Sequence, residues 1–413
     1  MKLARFPDSD PRKGSKLRPD IFYLFSDSID IDCMRAKARN PGFQFEVKKW
    51  DSYRQYPGIG TDLSDKSLLF MRTGGFGDIL MLSPIMDKIK RIYPTAKIDL
   101  ACSPFFGLAF KQQGYIDKIY HVPLSEDELD EHDFHLHFEG TIERSQDPEK
   151  TGIEVFAELS GVPLEESEMI PMYKVSEDNN KKACRVIQHL ARKDRMEING
   201  VQTIVIQVRA SSLVRTYPLD YTLNVAVSLS AFPNVRVLLV GKQGDCSIDM
   251  KHFRKIHNLC GLIDIKTTIA LIQRSDLLIC PDSAFVHFAA ALGIPSLAFY
   301  GPFPAMARVR SYPKCMAMEP NRDFCPYMPC FQHGHDPCRK AKELAIKNQL
   351  PLRATPCLSE IKPAAVFAHA VAMLGIDASS DDVKEHWFKE VKSYGMGGRN
   401  IGSKAEETVG ASA

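Results

Sequence analysis

Twice along this chain a short apolar strand runs into a turn of small or polar residues and resumes as a helix, and that alternation restricts the fold more than any other feature. In the first series, residues 68 to 71 form a buried strand, Gly74-Gly75-Phe76-Gly77-Asp78 a turn, and Leu82, Ile85, Met86, Ile89 and Ile92 recur at helical spacing. Strands are expected at 98 to 102, 118 to 122 and 134 to 138, with helices at 105 to 110 and 153 to 159. A second series starts near Thr203, with strands at 203 to 208, 235 to 240, 277 to 280 and 296 to 300 and helices from 219, 265 and 285. Strands that alternate with helices imply mainly parallel, doubly wound sheets, so the fold class is α/β with two Rossmann-like domains.

The division that follows is an N-terminal extension (1–65), a first domain (66–175), a linker with a helix (176–199), a second domain (200–375) and a tail (376–413) whose charge and glycine content predict disorder. A helix over 361 to 374 is expected to cross back to the first domain. In two α/β domains in series, ligands belong at the carboxyl ends of the strands, in a cleft that both domains face.

Composition narrows the partners. With 53 basic against 51 acidic side chains in 413 residues, the formal charge of +2 is too balanced for a nucleic-acid surface. The first twenty residues lack the apolar core of a signal peptide, so a cytoplasmic location is expected. The apolar stretch 284 to 300 is split by His287 and Gly293-Ile294-Pro295 into a short helix and a strand, so no membrane span is expected.

Three strand-to-helix turns carry the candidate chemistry. In the first, Gly74, Gly75 and Gly77 let backbone approach a ligand, and Asp78 is either a helix cap or a general base. The second, Pro281 to His287, offers Asp282, Ser283, Ala284 and His287 with free backbone N–H groups for a diphosphate, against a reading as caps and a packed core histidine. The third supplies Ser211, Ser212 and Arg215, hydroxyls and a fixed cation suited to phosphate. None matches the dinucleotide fingerprint or the P-loop.

Eleven cysteines are many for a reducing compartment, and Cys315, Cys325, Cys330, Cys338 and Cys357 crowd one segment, 311–357. Cys325, Cys330, Cys338 and Cys357, separated by four, seven and eighteen residues, suit tetrahedral Zn or Fe, with His333 or His335 able to replace one thiolate; buried free cysteines are the alternative. Cys315 has no assigned role.

Taken in order, RTGGFGDILMLSPIMDKIKRIYPTAKIDL, VRTYPLDYTLNVAVSL and CPDSAFVHFAAALGIPSLAFYGP resemble segments of the ADP-heptose glycosyltransferases, glycosyltransferase family 9, over roughly residues 67 to 375. The resemblance implies a GT-B enzyme with an N-terminal acceptor domain and a C-terminal nucleotide-sugar domain, inverting transfer of a heptose-like sugar from an ADP donor, Asp78 as base and no catalytic metal. It places the donor phosphates against Ser211, Ser212, Arg215, Asp282, Ser283, Ala284 and His287. Arg215 stands where the family has a lysine, Tyr217 where it has a tryptophan and Ala284 where it has a glycine, departures that bear on the donor sugar more than on the reaction. The cysteine segment is similar to that of the branch that modifies autotransporters, whose cysteine knuckle holds iron, which implies a structural metal here, Fe or Zn. The acceptor, glycan or protein, and the oligomeric state stay open. The rival readings are a non-catalytic GT-B scaffold that binds without turnover and another nucleotide-sugar enzyme, such as a hydrolysing epimerase.

Overall fold

The computed structural model describes residues 54–142, 149–346 and 355–377 apart from positions 55, 59, 197, 249, 251, 333 and 335, together with the backbone of three strands before residue 50. The chain divides into two units, Met1–Gln146 with Gly152–Met169, and Asp147–Thr151 with Ile170–Ala413.

The three early strands are β1 (Lys2–Arg5), β2 (Tyr23–Phe25) and β3 (Glu46–Lys49). The first unit's parallel sheet comprises β4 (Ser67–Met71), β5 (Lys97–Cys102), β6 (Lys118–His121) and β8 (Phe134–His137), in the order β6-β5-β4-β8. Between β6 and β8 lies the two-residue β7 (Leu124–Ser125). Leu68, Leu69 and Phe70 are fully buried because helices cover both faces of the sheet, as a parallel sheet requires. Those helices include α1 (Phe76–Met81), α2 (Ser83–Ile92), α3 (Pro104–Phe110) and α4 (Gly152–Ser160). In α2, Ile85, Met86 and Ile89 face the core while Lys90 and Arg91 occupy the last turn, where cations oppose the helix dipole.

The segment expected as a separate extension joins this unit. β1, β2 and β3 form an antiparallel sheet, and Tyr23 and Leu24 pair with Ser125 and Leu124 of β7. Sequences such as KLAR and EVKK carry no clear alternation; backbone pairing with distant partners makes them strands, which a local pattern does not reveal.

The second unit holds a six-stranded parallel sheet, β11-β10-β9-β12-β13-β14. Its strands are β9 (Gln202–Gln207), β10 (Val235–Val240), β11 (Ile256–Asn258), β12 (Leu277–Pro281), β13 (Ser296–Phe299) and β14 (Cys315–Met318). β11 and β14 are edge strands that the apolar pattern did not predict, and β14 gives Cys315 a place in the fold. Helix α5 (Glu177–Asp194), expected as linker, belongs to this unit. Its last residue, Asp194, is fully buried and accepts from Arg236 of β10 at 2.7 and 3.2 Å and lies 3.1 Å from His257 of β11. Around the sheet lie α6 (Leu219–Ser230), α7 (Ile265–Gln273), α8 (Ala284–Leu292) and α9 (Pro363–Met373). α9 packs on α6, with Phe367 stacked on Phe232 and Val366, Ala370 and Val371 in the second core, which corrects the expectation that it serves the first domain.

Residues 284 to 300 are the expected helix and strand, and among the described residues no helix is long and apolar enough to cross a membrane. The tail from 378 and most of the N-terminal 53 residues lie outside the described residues.

Removing one member of a buried ion pair strands the other charge, so Asp194→Ala is expected to cost about 3–5 kcal/mol. The measurement is the denaturant midpoint, and a loss below about 1 kcal/mol would mean that Arg236 finds another partner.

Candidate functional site

In the first unit, Arg72 follows β4 directly and is buried, 3% exposed. Its Nη2 donates to Oδ2 of Asp78 at 2.6 Å and its Nη1 donates to the carbonyl of Phe138 at 3.0 Å. Glu139, the residue after Phe138, lies 3.8 Å from Nη1 and accepts the backbone N–H of Thr73. Asp78 sits in the first turn of α1 but makes no capping hydrogen bond there; its carboxylate pairs with Arg72, and the side chain is 30% exposed. The capping alternative for Asp78 is therefore not what its hydrogen bonds show.

Gly75 is the residue before α1 and has φ of 84°, a left-handed conformation that L side chains rarely adopt. A Cβ there would stand 2.2 Å from Oδ2 of Asp78, so the glycine makes room for the carboxylate to fold back toward Arg72. At Gly74 a Cβ would meet the Phe106 ring at 3.2 Å, while Gly77 is buried within α1. Phe76, Phe105 and Phe106 pack edge-on beside the turn with ring centroids 4.8 to 5.4 Å apart.

In the second unit, two turns meet. Arg215 donates from Nη2 to Ser211 at 3.0 Å, and its Nη1 lies 3.5 Å from Oδ2 of Asp282. Nε of Arg215 and Oδ2 of Asp282 are buried without a hydrogen-bond partner among the described residues, so the ion pair is close in distance but leaves polar valences unfilled. Ser283 donates to the side chain of Gln207 at the end of β9 and accepts the N–H of Phe285, capping α8; Ala284 is the first residue of that helix. Ser211 is exposed, and Ser283 and Ala284 are part-exposed. Asp282 and His287 are buried behind the turn, His287 with Nδ1 2.7 Å from the hydroxyl of Tyr312. Tyr217 is a core residue: its hydroxyl donates to the carbonyl of Ile361 at 2.7 Å and its ring stacks on Phe299.

Ser212 is turned away from the exposed side of its loop. It is buried and donates to the carbonyl of Gly334 at 2.7 Å, while the N–H of Leu213 donates to the same carbonyl at 3.0 Å and Thr355 donates to the carbonyl of Leu213 at 3.1 Å. The Arg215 loop is thus stitched to the cysteine-rich segment. Cys325, Cys330, Cys338 and Cys357 all line one cavity of about 30 Å³, together with Val214 of that loop. Burial pushes the Cys330 thiol up, and burial followed by the proximity of Cys338 pushes Cys357 up to about 12. Among the described residues, no three His, Cys, Asp or Glu side chains are arranged as a ready metal site, although the four cysteines share a cavity. His333 and His335 lie outside the described residues.

Sequence reasoning missed Arg72, Glu139 and Gln207. Arg72 and Glu139 each follow the last apolar residue of a predicted strand, at the carboxyl edge where ligands bind in such sheets, and that position was the available signal.

Replacing Gly75 by alanine forces both the positive φ and the close approach to Asp78. We expect Gly75→Ala to destabilise the protein by at least about 1–2 kcal/mol, checked by denaturant unfolding; an unchanged midpoint would show that the turn relaxes freely.

Residues 142–315 match glycosyltransferase family 9 (heptosyltransferase). Among solved structures, a glycosyl transferase family 9 protein from Veillonella parvula DSM 2008 is similar at 14% identity and a TM-score of 0.55, over 77% of this chain and 99% of that one. The ADP-heptose lps heptosyltransferase II of E. coli is similar at 15% identity and a TM-score of 0.50, over 75% and 98%. The iron-containing dodecameric glycosyltransferase TibC from enterotoxigenic E. coli H10407 is similar at 13% identity and a TM-score of 0.53, over 83% and 84%. No curated protein sequence matches the chain. The two parallel-sheet units have the GT-B fold of these structures, and the match to glycosyltransferase family 9 lies within residues 142–315.

Proposed function

We propose that this chain is a glycosyltransferase that moves a heptose-like sugar from an ADP-linked donor to the hydroxyl of a glycan or protein acceptor, with inversion at the anomeric carbon. The observation that carries the reading is Asp78: a part-exposed carboxylate at the strand-to-helix turn of the first unit, held by Arg72 rather than spent on capping its helix. Asp78 takes the proton of the acceptor hydroxyl as that oxygen attacks the anomeric carbon. The bond from that carbon to the diphosphate oxygen breaks, and ADP carries away the electron pair.

Charge on the departing diphosphate falls to the second unit. Arg215, Ser211, Ser283 and the N–H groups that open α8 at Ala284 suit phosphate oxygens. Asp282 holds Arg215 in place, and Ser212 and His287 shape the two turns from their buried sides. No catalytic metal takes part in this reading. The similar E. coli heptosyltransferase II, named for its ADP-heptose donor, supports the donor class. A cytoplasmic location, where nucleotide sugars are made, belongs to the same proposal.

The test is donor consumption across a panel of nucleotide sugars including ADP-heptose, with released nucleoside diphosphate measured. Asp78→Asn is expected to lower turnover about 10²- to 10⁴-fold while ADP binding persists. Equal rates would remove Asp78 from the chemistry, and binding without turnover in the wild type would favour a non-catalytic scaffold.

The cysteine cavity is read as a structural metal site. Four thiols in one cavity match the donor set of tetrahedral Fe or Zn. When bound, the metal would tie segments around Cys325, Cys330, Cys338 and Cys357 together beneath the Arg215 loop. The likeness to the iron-containing TibC supports iron over zinc. Elemental analysis of the purified chain is expected to find one metal per chain, lost with a lower melting temperature in Cys338→Ser. Metal-free protein with the wild-type melting temperature would assign the cysteines to packing.

A further inference from the structure

We propose that Arg308 is a second cation for the donor diphosphate, on the other flank of the Asp282–Ser283 turn from Arg215, an inference that rests on the reading of this unit as the nucleotide-sugar side. The strand order places it there. β12 lies between β9 and β13, so the turn that leaves β12 has the loop after β9, with Arg215, on one flank and the loop after β13, with Arg308, on the other. The backbone N–H of Asp282 donates to the carbonyl of Phe299, the last residue of β13, at 3.0 Å. Arg308 belongs to the four-residue helix Met306–Val309 of that second loop.

Positive charge is what the turn lacks. A departing diphosphate is multiply negative, whereas Arg215 lies 3.5 Å from Asp282 and the two together are neutral. The other cations near this edge of the sheet are committed or distant: Arg209 lies 4.0 Å from Asp245, Arg310 donates to the carbonyl of Glu149, Lys314 donates to that of Gly293, and Lys242 follows β10, two strands from β12. Arg308 forms no hydrogen bond or ion pair among the described residues. The carboxylate on the next segment, Glu319, accepts the N–H of Ala305 at 3.0 Å and lies 3.8 Å from Arg322.

The guanidinium is nevertheless held in place. It lies over the ring of the buried Phe303, 4.3 Å from its centroid, so an aromatic face fixes its plane without using its donors. Burial above all, then Cys315, raises the Tyr312 hydroxyl, while the charge of Arg308 pulls the other way; Tyr312 in turn lies 2.7 Å from Nδ1 of His287 on α8. Arg308 therefore stands beside the helix that opens at Ala284, with a planar fork suited to two phosphate oxygens.

The experiment is calorimetric titration of the full chain with ADP and with adenosine. Arg308→Met, whose side chain still covers the Phe303 ring, is expected to weaken ADP binding about tenfold and to leave adenosine binding unchanged. Arg308→Gln should behave likewise, and Arg308→Lys, which keeps the charge, should recover most of the loss. ADP affinity should fall less steeply with added salt in Arg308→Met than in the wild type. Arg192→Gln removes a cation from α5 and controls for net charge; it should bind ADP as the wild type does.

Melting temperature shows which variants are folded, and either neutral variant decides the matter if the other is not. Equal ADP affinity in the wild type and a folded neutral variant overturns the proposal and leaves the transfer reading standing. An equal loss for adenosine and ADP overturns it too, because a missing charge cannot weaken an uncharged ligand. A folded wild type that binds no ADP sinks the donor reading and the role of Arg308 with it.

Discussion

A parallel strand can pair with its neighbour only after the chain has crossed back over the sheet, and both faces of the sheet must then be covered. Each unit obeys this constraint, and the placement of its chemistry follows. Because every crossover returns the chain to the same starting edge, the turns at Arg72–Asp78 and Phe138–Glu139 gather at one edge of the first sheet. In the second unit the same rule gathers Gln207, Arg215 and the Asp282–Ser283 turn at the carboxyl ends of β9 and β12. Residues 66 and 67 positions apart in sequence, Arg72 with Phe138 and with Glu139, become neighbours for this topological reason alone.

Buried charge marks the places where packing alone does not account for the residue present. The Asp194–Arg236–His257 cluster fastens α5 to β10 and β11 and leaves its main polar atoms paired, which suits a structural role. Arg72 differs in that its partner Asp78 stays part-exposed, and Arg215 differs in that its Nε and the facing Asp282 oxygen lack hydrogen bonds among the described residues. An ion pair that is complete and dry holds a fold together.

The cysteine-rich segment is fastened to the Arg215 loop rather than being an appendage. Ser212, Leu213 and Thr355 tie it to the loop that presents Arg215, and Val214 of that loop forms part of the cavity lined by the four thiols. Whatever fills that cavity therefore bears on the position of the guanidinium. Ser212 was an attractive phosphate ligand by residue type and spacing, but the tertiary structure assigns its hydroxyl to Gly334.

The sequence by itself determined the α/β class, the two series of strands, the glycine turn before Asp78 and the helix after Ser283. Each is a local matter of apolar period, glycine at a positive φ or capping chemistry, so a window of ten residues contains the physics. It did not disclose β1 to β3, β11 or β14, whose strand character comes from backbone partners far along the chain. Nor did it show that α9 completes the second core, or that Asp78 pairs with Arg72 while His287 turns to Tyr312. Those outcomes were decided by tertiary structure, because a side chain's partner depends on which distant turn the sheet brings beside it, and no local pattern encodes that distance.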